Sequence, residues 1–313
     1  MCSAHQTTGG DDLNQILNFG SLNQDRTYHV KEFVQAGETI LAQGYEEFCG
    51  GKGLNQSIAA ARAAGGAVYH GGAVGTDGAG LVEALKGSGV DVRYLQTLEG
   101  PSGHAIIQIN ERGQNCIIVY GGTNVKLTRP YIDGVLDNFG AGDFLILQNE
   151  INEVPYIMER AHRRGMRLVF NPSPITKELC ENYPLDLVEY FILNEIEGAA
   201  LSGVTGSNQE VLEGLHKRFP DAAIVLTVGD QGVLYARGEE RLSRGIYSVP
   251  VVDTTAAGDT FCGYFVAALA QGLPAEEGLR RASAAAALAV SVMGAAPSIP
   301  NESQVSAFLE ERG

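Results

Sequence analysis

Short apolar segments alternate with helix-like segments through most of the chain, and this alternation restricts the fold more than any other feature. Six of the apolar segments have the length of strands: residues 16–20, 67–70, 144–147, 167–170, 190–193 and 223–228. Helical segments such as 80–86 and 154–165 lie between them and end beside a glycine. Strands that alternate with helices of this length form a mostly parallel sheet with helices on both faces. The sequence therefore predicts an α/β protein.

Residues 103–120 break this rhythm. Two strand-like segments, 103–110 and 115–120, are joined by a short loop that contains Gly113, which is the pattern of a β-hairpin. The earlier segment 24–34 also alternates polar and apolar residues, and it leaves the main sheet. We expect the hairpin and this segment to pair in a small second sheet.

Composition narrows the classes of function. The net charge of −15 argues against binding to nucleic acid or to an anionic membrane, since both require a positive surface. Five dispersed cysteines without a CxxC pair indicate reduced thiols, as in cytoplasmic proteins. The Ala-rich segment 282–293 contains serine and is interpreted as a buried helix rather than a membrane span.

Polar or glycine-containing sequence follows each of the later strands. The segments are 148–150, 171–174, 194–197, 229–232 and 253–259, the last of them after an apolar stretch, 247–252, that we interpret as a further strand. Ligands of parallel sheets bind outside the carboxyl ends of the strands. These segments therefore predict a site at one edge of the sheet for a polar ligand, a metal or a phosphate.

The segment VDTTAAGDTF places Asp259 at the predicted start of a helix, directly after Ala256, Ala257 and Gly258. The first backbone N–H groups of a helix are unpaired and bind anions, and small residues let a phosphate reach them. A carboxylate would repel that phosphate, so Asp259 is a candidate general base for a hydroxyl that attacks phosphorus. A helix-capping or first-turn role for Asp259 is the alternative.

Seven motifs, in order along nearly the whole chain, resemble those of the PfkB family of carbohydrate kinases. They are GSLNQD (20–25), GGKGLNQ (50–56), NPSP (171–174), NEIEGAALSG (194–203), TVGDQGV (227–233), VDTTAAGDTFCG (252–263) and GAAPSIP (294–300). GGKGLN and DTTAAGDTF are the specific signals, and the others are weak alone. The resemblance implies a ribokinase-like three-layer sandwich with a mostly parallel central sheet and a small β-sheet lid. Residues 1–313 would form a single kinase domain, with the lid from about 24–48 and 103–120.

The resemblance also implies transfer of the γ-phosphoryl group of ATP to a sugar hydroxyl. Asp259 matches the catalytic base, and Ala256, Ala257 and Gly258 match the anion hole. The positions that match sugar contacts are Asn23, Asp25, Gly51, Lys52, Asn55, Ala105, Ile107, Val119 and Glu150. The 5-hydroxyl of D-ribose is the expected acceptor, and a nucleoside, deoxyribose or another sugar is the alternative. For Asn23 and Asp25, an Asx turn that closes a strand is the structural alternative.

Nucleotide and metal positions follow from the same resemblance. The positions that match the ATP site are Asn194, Glu197, Thr227, Gly229, Gly232, Gly258 and Ser283, with Glu197 in the Mg²⁺ region. Glu197 also suits a purely structural role as a first-turn acid. The positions that match a ring around a monovalent cation, expected to be K⁺, are Asp253, Thr255, Ala289, Val292, Gly294 and Ser298.

Three residues depart from the family pattern near the sugar positions: Arg26, Tyr28 and His104. They narrow the pocket or recognise a group that ribose lacks, or else they form a solvated edge of the lid. An unpaired lid would expose apolar strand edges, and the resemblance implies a homodimer that covers them. A catalytically silent sugar- or nucleotide-binding regulator is the alternative of another class, and the intact Asp259, Gly258 and Asn194-to-Glu197 motif argue against it.

Overall fold

The computed structural model describes residues 14–63 and 66–312. The strands are β1 (Ile16–Phe19), β2 (Asn23–His29), β3 (Gly44–Gly50), β4 (Val68–Val74), β5 (Leu95–Thr97), β6 (Gly103–Ile109), β7 (Asn115–Tyr120), β8 (Phe144–Gln148), β9 (Arg167–Asn171), β10 (Tyr190–Asn194), β11 (Ala223–Thr227), β12 (Val233–Arg237) and β13 (Glu240–Arg244). The α-helices are α1 (Lys52–Arg62), α2 (Ala79–Gly87), α3 (Arg129–Leu136), α4 (Val154–Arg163), α5 (Lys177–Asn182), α6 (Glu195–Ser202), α7 (Asn208–Arg218), α8 (Ala257–Ala270), α9 (Ala275–Val290) and α10 (Glu302–Arg312).

A large sheet of nine strands forms the centre of the described structure, in the order β13-β12-β11-β10-β9-β8-β1-β4-β5. All neighbours from β11 to β5 run parallel, and β12 and β13 add an antiparallel hairpin at one edge. The predicted α/β class with a mostly parallel sheet is confirmed.

The central strands of the large sheet are buried on both faces. In β8, for example, Leu145 packs into one core and Ile146 into the other, and both side chains are fully buried. Helices α1, α8 and α9 contribute to the core that contains Ile146, and α3, α4 and α7 contribute to the core that contains Leu145. This arrangement gives three layers, as expected when successive side chains of a strand alternate between two covered faces.

The segment 247–252, which we interpreted as a strand, is irregular, so that interpretation was wrong. Its last two valines are exposed, Val251 by 67% and Val252 by 52%, whereas Tyr247 and Val249 are half-buried and pack against the core. The backbone N–H groups of Val252 and Asp253 both donate to the carbonyl of Val290 at the end of α9. These two hydrogen bonds fix the segment to the end of α9. The segment does not extend the large sheet, because the hairpin of β12 and β13 already forms that edge.

A second sheet of four strands has the order β3-β2-β6-β7, and we call it the small sheet. Strand β2 pairs antiparallel with β3 and parallel with β6, and β6 and β7 form the hairpin expected from the sequence. The expected pairing of this hairpin with residues 24–34 is present, although the strand ends at His29. Only Gly20, Ser21 and Leu22 separate β1 from β2, so the small sheet begins at the carboxyl edge of the large one.

Helix α9 contains most of the Ala-rich segment and lies in the core, where Ala282, Ala284 and Ala285 are fully buried. It ends at Val290, three residues before the predicted end at Met293. Within residues 14–63 and 66–312, no helix combines the length and the apolar character needed to span a membrane.

Candidate active site

Asp259 lies in the first turn of α8 and is 7% exposed. The chain enters this helix through Ala256, whose φ of 59° is left-handed. No side chain caps the helix. Instead, the Asp259 carboxylate accepts hydrogen bonds from two side-chain amides of α1, Asn55 Nδ2 to Oδ2 at 3.0 Å and Gln56 Nε2 to Oδ1 at 2.9 Å. Asp259 is therefore held across the interface of two helices and does not act as a cap.

The start of α8 is suited to an anion. Its first N–H groups lack intrahelical acceptors and lie at the positive end of the helix dipole. The Ala257 N–H makes only a long bond, 3.3 Å, to the carbonyl of Thr254. Nothing lies within 4 Å of the position that a Cβ would take on Gly258. A phosphate could approach this backbone next to the Asp259 carboxylate.

Asp25 lies on β2, opposite the end of β3, and its carboxylate occupies the space that a Cβ on Gly50 would need. Burial, together with the negative charges of Glu150 and Asp259, raises the pKa of Asp25 to about 7. Three carboxylates from separate parts of the chain therefore influence one another in this region.

Glu150 follows β8 and is tied to the start of α1. Its Oε2 accepts a hydrogen bond from the backbone N–H of Lys52 at 3.1 Å and another from the hydroxyl of Ser21. Burial raises the pKa of Glu150, although these two bonds act in the opposite direction. Glu150 thus joins the end of β1, the end of β8 and the start of α1.

The Lys52 side chain supplies positive charge to this region. Burial by itself lowers the pKa of Lys52, but the carboxylates of Asp259, Glu150 and Glu197 outweigh it, so the pKa is raised. Lys52 therefore stays protonated between the carboxylates of the sugar positions and Glu197 of the nucleotide positions.

Two buried asparagines contribute polar groups. Asn23 is 5% exposed, and its Oδ1 accepts a hydrogen bond from Asn124 Nδ2 at 2.8 Å. Asn55 is also 5% exposed, and its Oδ1 has no hydrogen-bond partner within the described structure. A buried unpaired acceptor is costly. A ligand hydroxyl that donates to Asn55 Oδ1 would remove this cost.

Gly51, with a φ of 93°, precedes α1 and brings its backbone close to Ser21 and Asn23.

The small sheet places its candidate contacts on the face that carries Asp25. In the strand register, Ala105 is opposite Asp25, Ile107 is opposite Thr27 and Val119 is opposite Ala105. Ala105 is buried, whereas Val119 is 60% exposed. The face is therefore apolar above Asp25 and open to solvent at its outer strand.

Arg26, Tyr28 and His104 lie on the opposite face of the small sheet, because successive strand residues alternate between faces. The Tyr28 ring packs against Tyr45, and the His104 ring packs against Tyr120, both with ring centroids 5.1 Å apart. Arg26 approaches Glu47 at 3.8 Å. These three side chains do not share the face of Asp25, which favours the interpretation of them as an edge of the lid.

Asn194 and Glu197 form a capping box at the start of α6. Asn194 Oδ1 accepts from the N–H of Glu197, and Glu197 Oε2 accepts from the N–H of Asn194, both at 2.9 Å. The structural alternative for this motif is thus present. Mg²⁺ usually keeps several bound waters and is held by one or two carboxylates together with phosphate oxygens. The single carboxylate of Glu197 would therefore be sufficient for Mg²⁺. In the described ranges, no cluster of three or more His, Cys, Asp or Glu residues could hold a metal.

The remaining nucleotide positions lie around the ends of β10 and β11. Thr227 is the register partner of Asn194, and its hydroxyl donates to the carbonyl of Leu193 at 3.3 Å. Gly229 and Gly232 follow with φ values of 53° and 99° and form the turn into β12. Ser283 is half-buried on α9. Thr227, Gly229 and Gly232 lie together because they are near neighbours in the sequence, and strand register places Thr227 beside Asn194. Ser283 comes from a separate helix.

Asp253 fastens two loops to each other. Its Oδ1 accepts from the N–H and the hydroxyl of Thr255 at 2.9 and 2.6 Å, and its Oδ2 accepts from the N–H of Gly294 at 2.9 Å. Burial by itself raises the pKa of Asp253, but these bonds outweigh it, so the pKa is lowered. Three of the six cation positions therefore meet at one carboxylate.

The other three cation positions flank the same loop. The Ala289 carbonyl accepts from the N–H of Val292 at 3.1 Å, and the Ser298 hydroxyl donates to the carbonyl of Ala295 at 2.8 Å. Since the Ser298 hydroxyl is already engaged, this position would offer its backbone oxygen. Carboxylate and backbone carbonyl oxygens, which these six positions would supply, are the donor type that a hard cation such as K⁺ prefers.

Four buried polar residues near the site carry no role in the sequence prediction: Ser21, Gln56, Asn124 and Gln148. Gln56 belongs to the motif 50–56 and Gln148 to the segment 148–150. Their positions in the sequence are therefore a weak indication that they lie near the site. Asn124 gives none, since its partners Leu22 and Asn23 are more than 100 positions away.

Comparison with known proteins gives a consistent result. A family model for the pfkB family carbohydrate kinases matches residues 13–302. The chain is 33% identical over 300 residues to the ribokinase of Haemophilus influenzae, covering 93% of this chain and 97% of that protein. Two solved structures each match with a TM-score of 0.83. One is a ribokinase from Cryptococcus neoformans var. grubii in complex with ADP, at 32% identity over 96% of this chain and 100% of that chain. The other is a ribokinase from Arabidopsis thaliana complexed with ribose and ATP, at 30% identity over 95% and 99%. The ribokinase-like fold predicted from the sequence is thus confirmed.

Proposed function

The chain belongs to the pfkB family of carbohydrate kinases, and from this premise we propose that it is an ATP-dependent ribokinase that phosphorylates the 5-hydroxyl of D-ribose. One observation carries the proposal. The buried carboxylate of Asp259 lies between a helix start suited to phosphate and a buried polar region that holds the unpaired Asn55 Oδ1. The ribokinases that resemble this chain over most of its length, two of them with ADP or with ribose and ATP, support the same assignment.

Asp259 is the proposed general base. It takes the proton of the 5-hydroxyl as the sugar oxygen bonds to the γ-phosphorus of ATP and the bond from that phosphorus to the ADP oxygen breaks. The backbone of Ala256, Ala257 and Gly258 is proposed to hold the charge of the transferring group. Lys52, protonated near Asp259 and Glu197, adds positive charge on the same side.

The proposed sugar site unites both sheets. Its members are Asn23, Asp25, Gly51, Lys52, Asn55, Ala105, Ile107, Val119 and Glu150. The carboxylates and amides would exchange hydrogen bonds with the sugar hydroxyls, and the three small-sheet residues would cover its apolar face. The proposed ATP site consists of Asn194, Glu197, Thr227, Gly229, Gly232, Gly258 and Ser283.

A nucleoside or another sugar with additional groups is less favoured as the substrate, because Arg26, Tyr28 and His104 lie on the face of the small sheet away from Asp25. Deoxyribose carries no group that ribose lacks, and the similarity of the chain to ribokinases is what favours ribose over it. A coupled ADP-release assay over ribose, deoxyribose, fructose, nucleosides and pseudouridine tests this choice. We expect the largest kcat/KM for ribose. A larger value for any other acceptor would contradict the substrate assignment, and no release with any acceptor would contradict the kinase assignment.

Mg²⁺ and K⁺ are proposed cofactors. Mg²⁺, when bound with ATP, screens the charge of the phosphates, and Glu197 would hold it through bound water. K⁺ would be surrounded by six residues: Asp253, Thr255, Ala289, Val292, Gly294 and Ser298. The bound K⁺ would keep the loop before α8 in its conformation. With Na⁺ or Tris as the only monovalent cation, we expect low activity that rises on addition of K⁺. An unchanged rate would contradict the K⁺ site, and activity that survives EDTA would contradict the Mg²⁺ requirement.

We further propose that residues 1–313 act as one kinase domain, with the small sheet as its lid, and that the chain works as a homodimer in the cytoplasm. Outer strand β7 supports the dimer, since Ile117, Ile118, Val119 and Tyr120 are all at least 50% exposed. An unpaired apolar edge of this kind favours association with a second copy. Free cysteines at positions 49, 116, 180 and 262 agree with a reducing compartment, which fractionation with a compartment marker would test.

A further inference from the structure

A chain of side-chain amides lies directly beneath Asp259. Gln148 Nε2 donates to Asn18 Oδ1 at 3.0 Å and to Gln56 Oε1 at 2.7 Å. Gln56 Nε2 in turn donates to Asn171 Oδ1 at 3.2 Å and to Asp259 Oδ1 at 2.9 Å. Asn18, Gln56 and Gln148 are at most 1% exposed. The chain thus links the ends of β1, β8 and β9 to the first turn of α8 through one residue of α1.

Both ends of this chain are anchored on backbone carbonyls, which can only accept hydrogen bonds. Asn18 Nδ2 donates to the carbonyl of Gly53 at 2.8 Å, and Asn171 Nδ2 donates to the carbonyl of Ile192 at 2.9 Å. Each asparagine must therefore turn its oxygen towards a glutamine. Gln148 and Gln56 then meet acceptors and must present their N–H groups to them.

These constraints fix the orientation of the Gln56 side-chain amide. One of its two N–H groups is used by Asn171, and its oxygen is used by Gln148 and by the thiol of Cys262 at 3.5 Å. The other N–H points at Asp259 and cannot be exchanged for the oxygen without breaking the chain. Asp25 and Glu150 bring further negative charge to the surroundings of Asp259, and Lys52 brings a positive charge. A donated amide N–H stabilises an ionised carboxylate.

We propose that Gln56 is a positioning residue for the phosphoryl transfer, and that the anchored amide chain keeps its N–H on Asp259 so that this base stays ionised and directed at the substrate hydroxyl. The inference rests on the proposed function, because it assigns Asp259 the role of base. It adds a residue outside the sugar and nucleotide sites and gives a reason for three buried amides, Asn18, Gln56 and Gln148, and for the half-buried amide of Asn171.

Two substitutions at this position test the inference. Gln56→Leu removes the N–H at similar volume, and Gln56→Glu places a carboxyl in contact with Asp259. The measurement is kcat against pH at saturating sugar and ATP, since this profile reports groups in the bound complex. We expect kcat at neutral pH to fall about 100-fold, and the acidic limb to move about one pH unit upward for Leu and further for Glu. KM for the sugar should change less than about threefold, because Gln56 is not among the proposed sugar contacts.

Controls separate positioning from a structural role. Gln271→Leu removes a half-buried amide at the far end of α8, whose Nε2 donates to the Ala63 carbonyl at 3.4 Å, and the profile should stay at that of the wild type. Gln148→Leu removes the donor behind Gln56 and should move the limb in the same direction by less. If the Gln56 variants do not fold, this substitution carries the test.

Different results would overturn the role of Gln56 and the kinase activity. An active wild type whose acidic limb is unmoved by folded Gln56 or Gln148 variants would overturn this inference and leave the kinase assignment intact. A wild type without sugar-dependent ADP release would overturn the proposed function and this inference with it.

Discussion

At the scale of single residues, Asp259 gives the sharpest test of chemistry. Asp259→Asn keeps the shape of the side chain but removes the charge that would accept a proton. We expect kcat to fall about 10³-fold or more, with sugar affinity close to that of the wild type. Calorimetric titration and thermal melting measure affinity and stability separately from rate.

The matched control for this substitution is Asp137→Asn, an ion-paired acid that is 62% exposed. It should change neither rate nor affinity. An Asp259→Asn variant that melts early yet retains its rate would show that the carboxylate is structural.

Asp25, a proposed sugar contact, should make sugar binding depend on pH. Burial and the charges of Glu150 and Asp259 raise its pKa to about 7, so it is mostly protonated at pH 6 and mostly ionised at pH 8. Only the ionised form can accept hydrogen bonds from sugar hydroxyls on both oxygens. KM for the sugar should rise about tenfold from pH 8 to pH 6.

Asp25→Asn is the control for that prediction. The variant should bind the sugar more weakly at pH 8 and show little change in KM between pH 8 and pH 6. A wild-type KM that is flat over this range would contradict the assigned role of Asp25.

At the scale of elements, the packing of α1 on α8 determines where Asp259 meets Asn55 and Gln56. Gly263 allows this contact, since a Cβ there would overlap Ala59 and would lie 2.6 Å from the backbone nitrogen of Ala60. Gly263→Ala should push the two helices apart and lower the free energy of unfolding by about 1–3 kcal/mol. It should also lower kcat, because the donors to Asp259 lie on the displaced helix.

Gly134→Ala is the matched control for the helix contact. Gly134 is also helical, in α3, but nothing lies within 4 Å of its Cβ position. This substitution should leave activity unchanged and stabilise slightly, since alanine is the better helix former. Equal effects of the two substitutions in urea denaturation would show that the α1–α8 contact has no special role.

The same elements show what the sequence could and could not predict. Parallel strands such as β8 and β10 are continuous apolar runs buried on both faces, so the sequence pattern was sufficient to predict them as strands. Segment 247–252 carries three valines but is held by a helix end, which local pattern does not reveal. Asn124 and Gln56 act through contacts with residues more than 100 positions away, so only the fold brings them to the site.

At the scale of the whole molecule, exposed strand β7 predicts a dimer. Ile118 is 62% exposed at its centre. Sedimentation should give the wild type a mass of twice 33.2 kDa, and Ile118→Asp should shift it towards the monomer, because a charge in an apolar contact is costly.

Ile246→Asp serves as the control, since Ile246 is 55% exposed but lies outside the small sheet. This variant should remain dimeric. A monomeric wild type, or dissociation by both substitutions alike, would contradict the assignment of β7 to the interface.

Transfer of phosphate from ATP to the 5-hydroxyl of ribose is tested most directly by proton-coupled ³¹P NMR of the product formed from D-ribose and ATP. A phosphate ester on C5 couples to two protons, so we expect a triplet that grows as ADP accumulates and is missing with Asp259→Asn. A doublet, which marks an ester on a carbon with one proton, or ADP without any sugar phosphate, would contradict it.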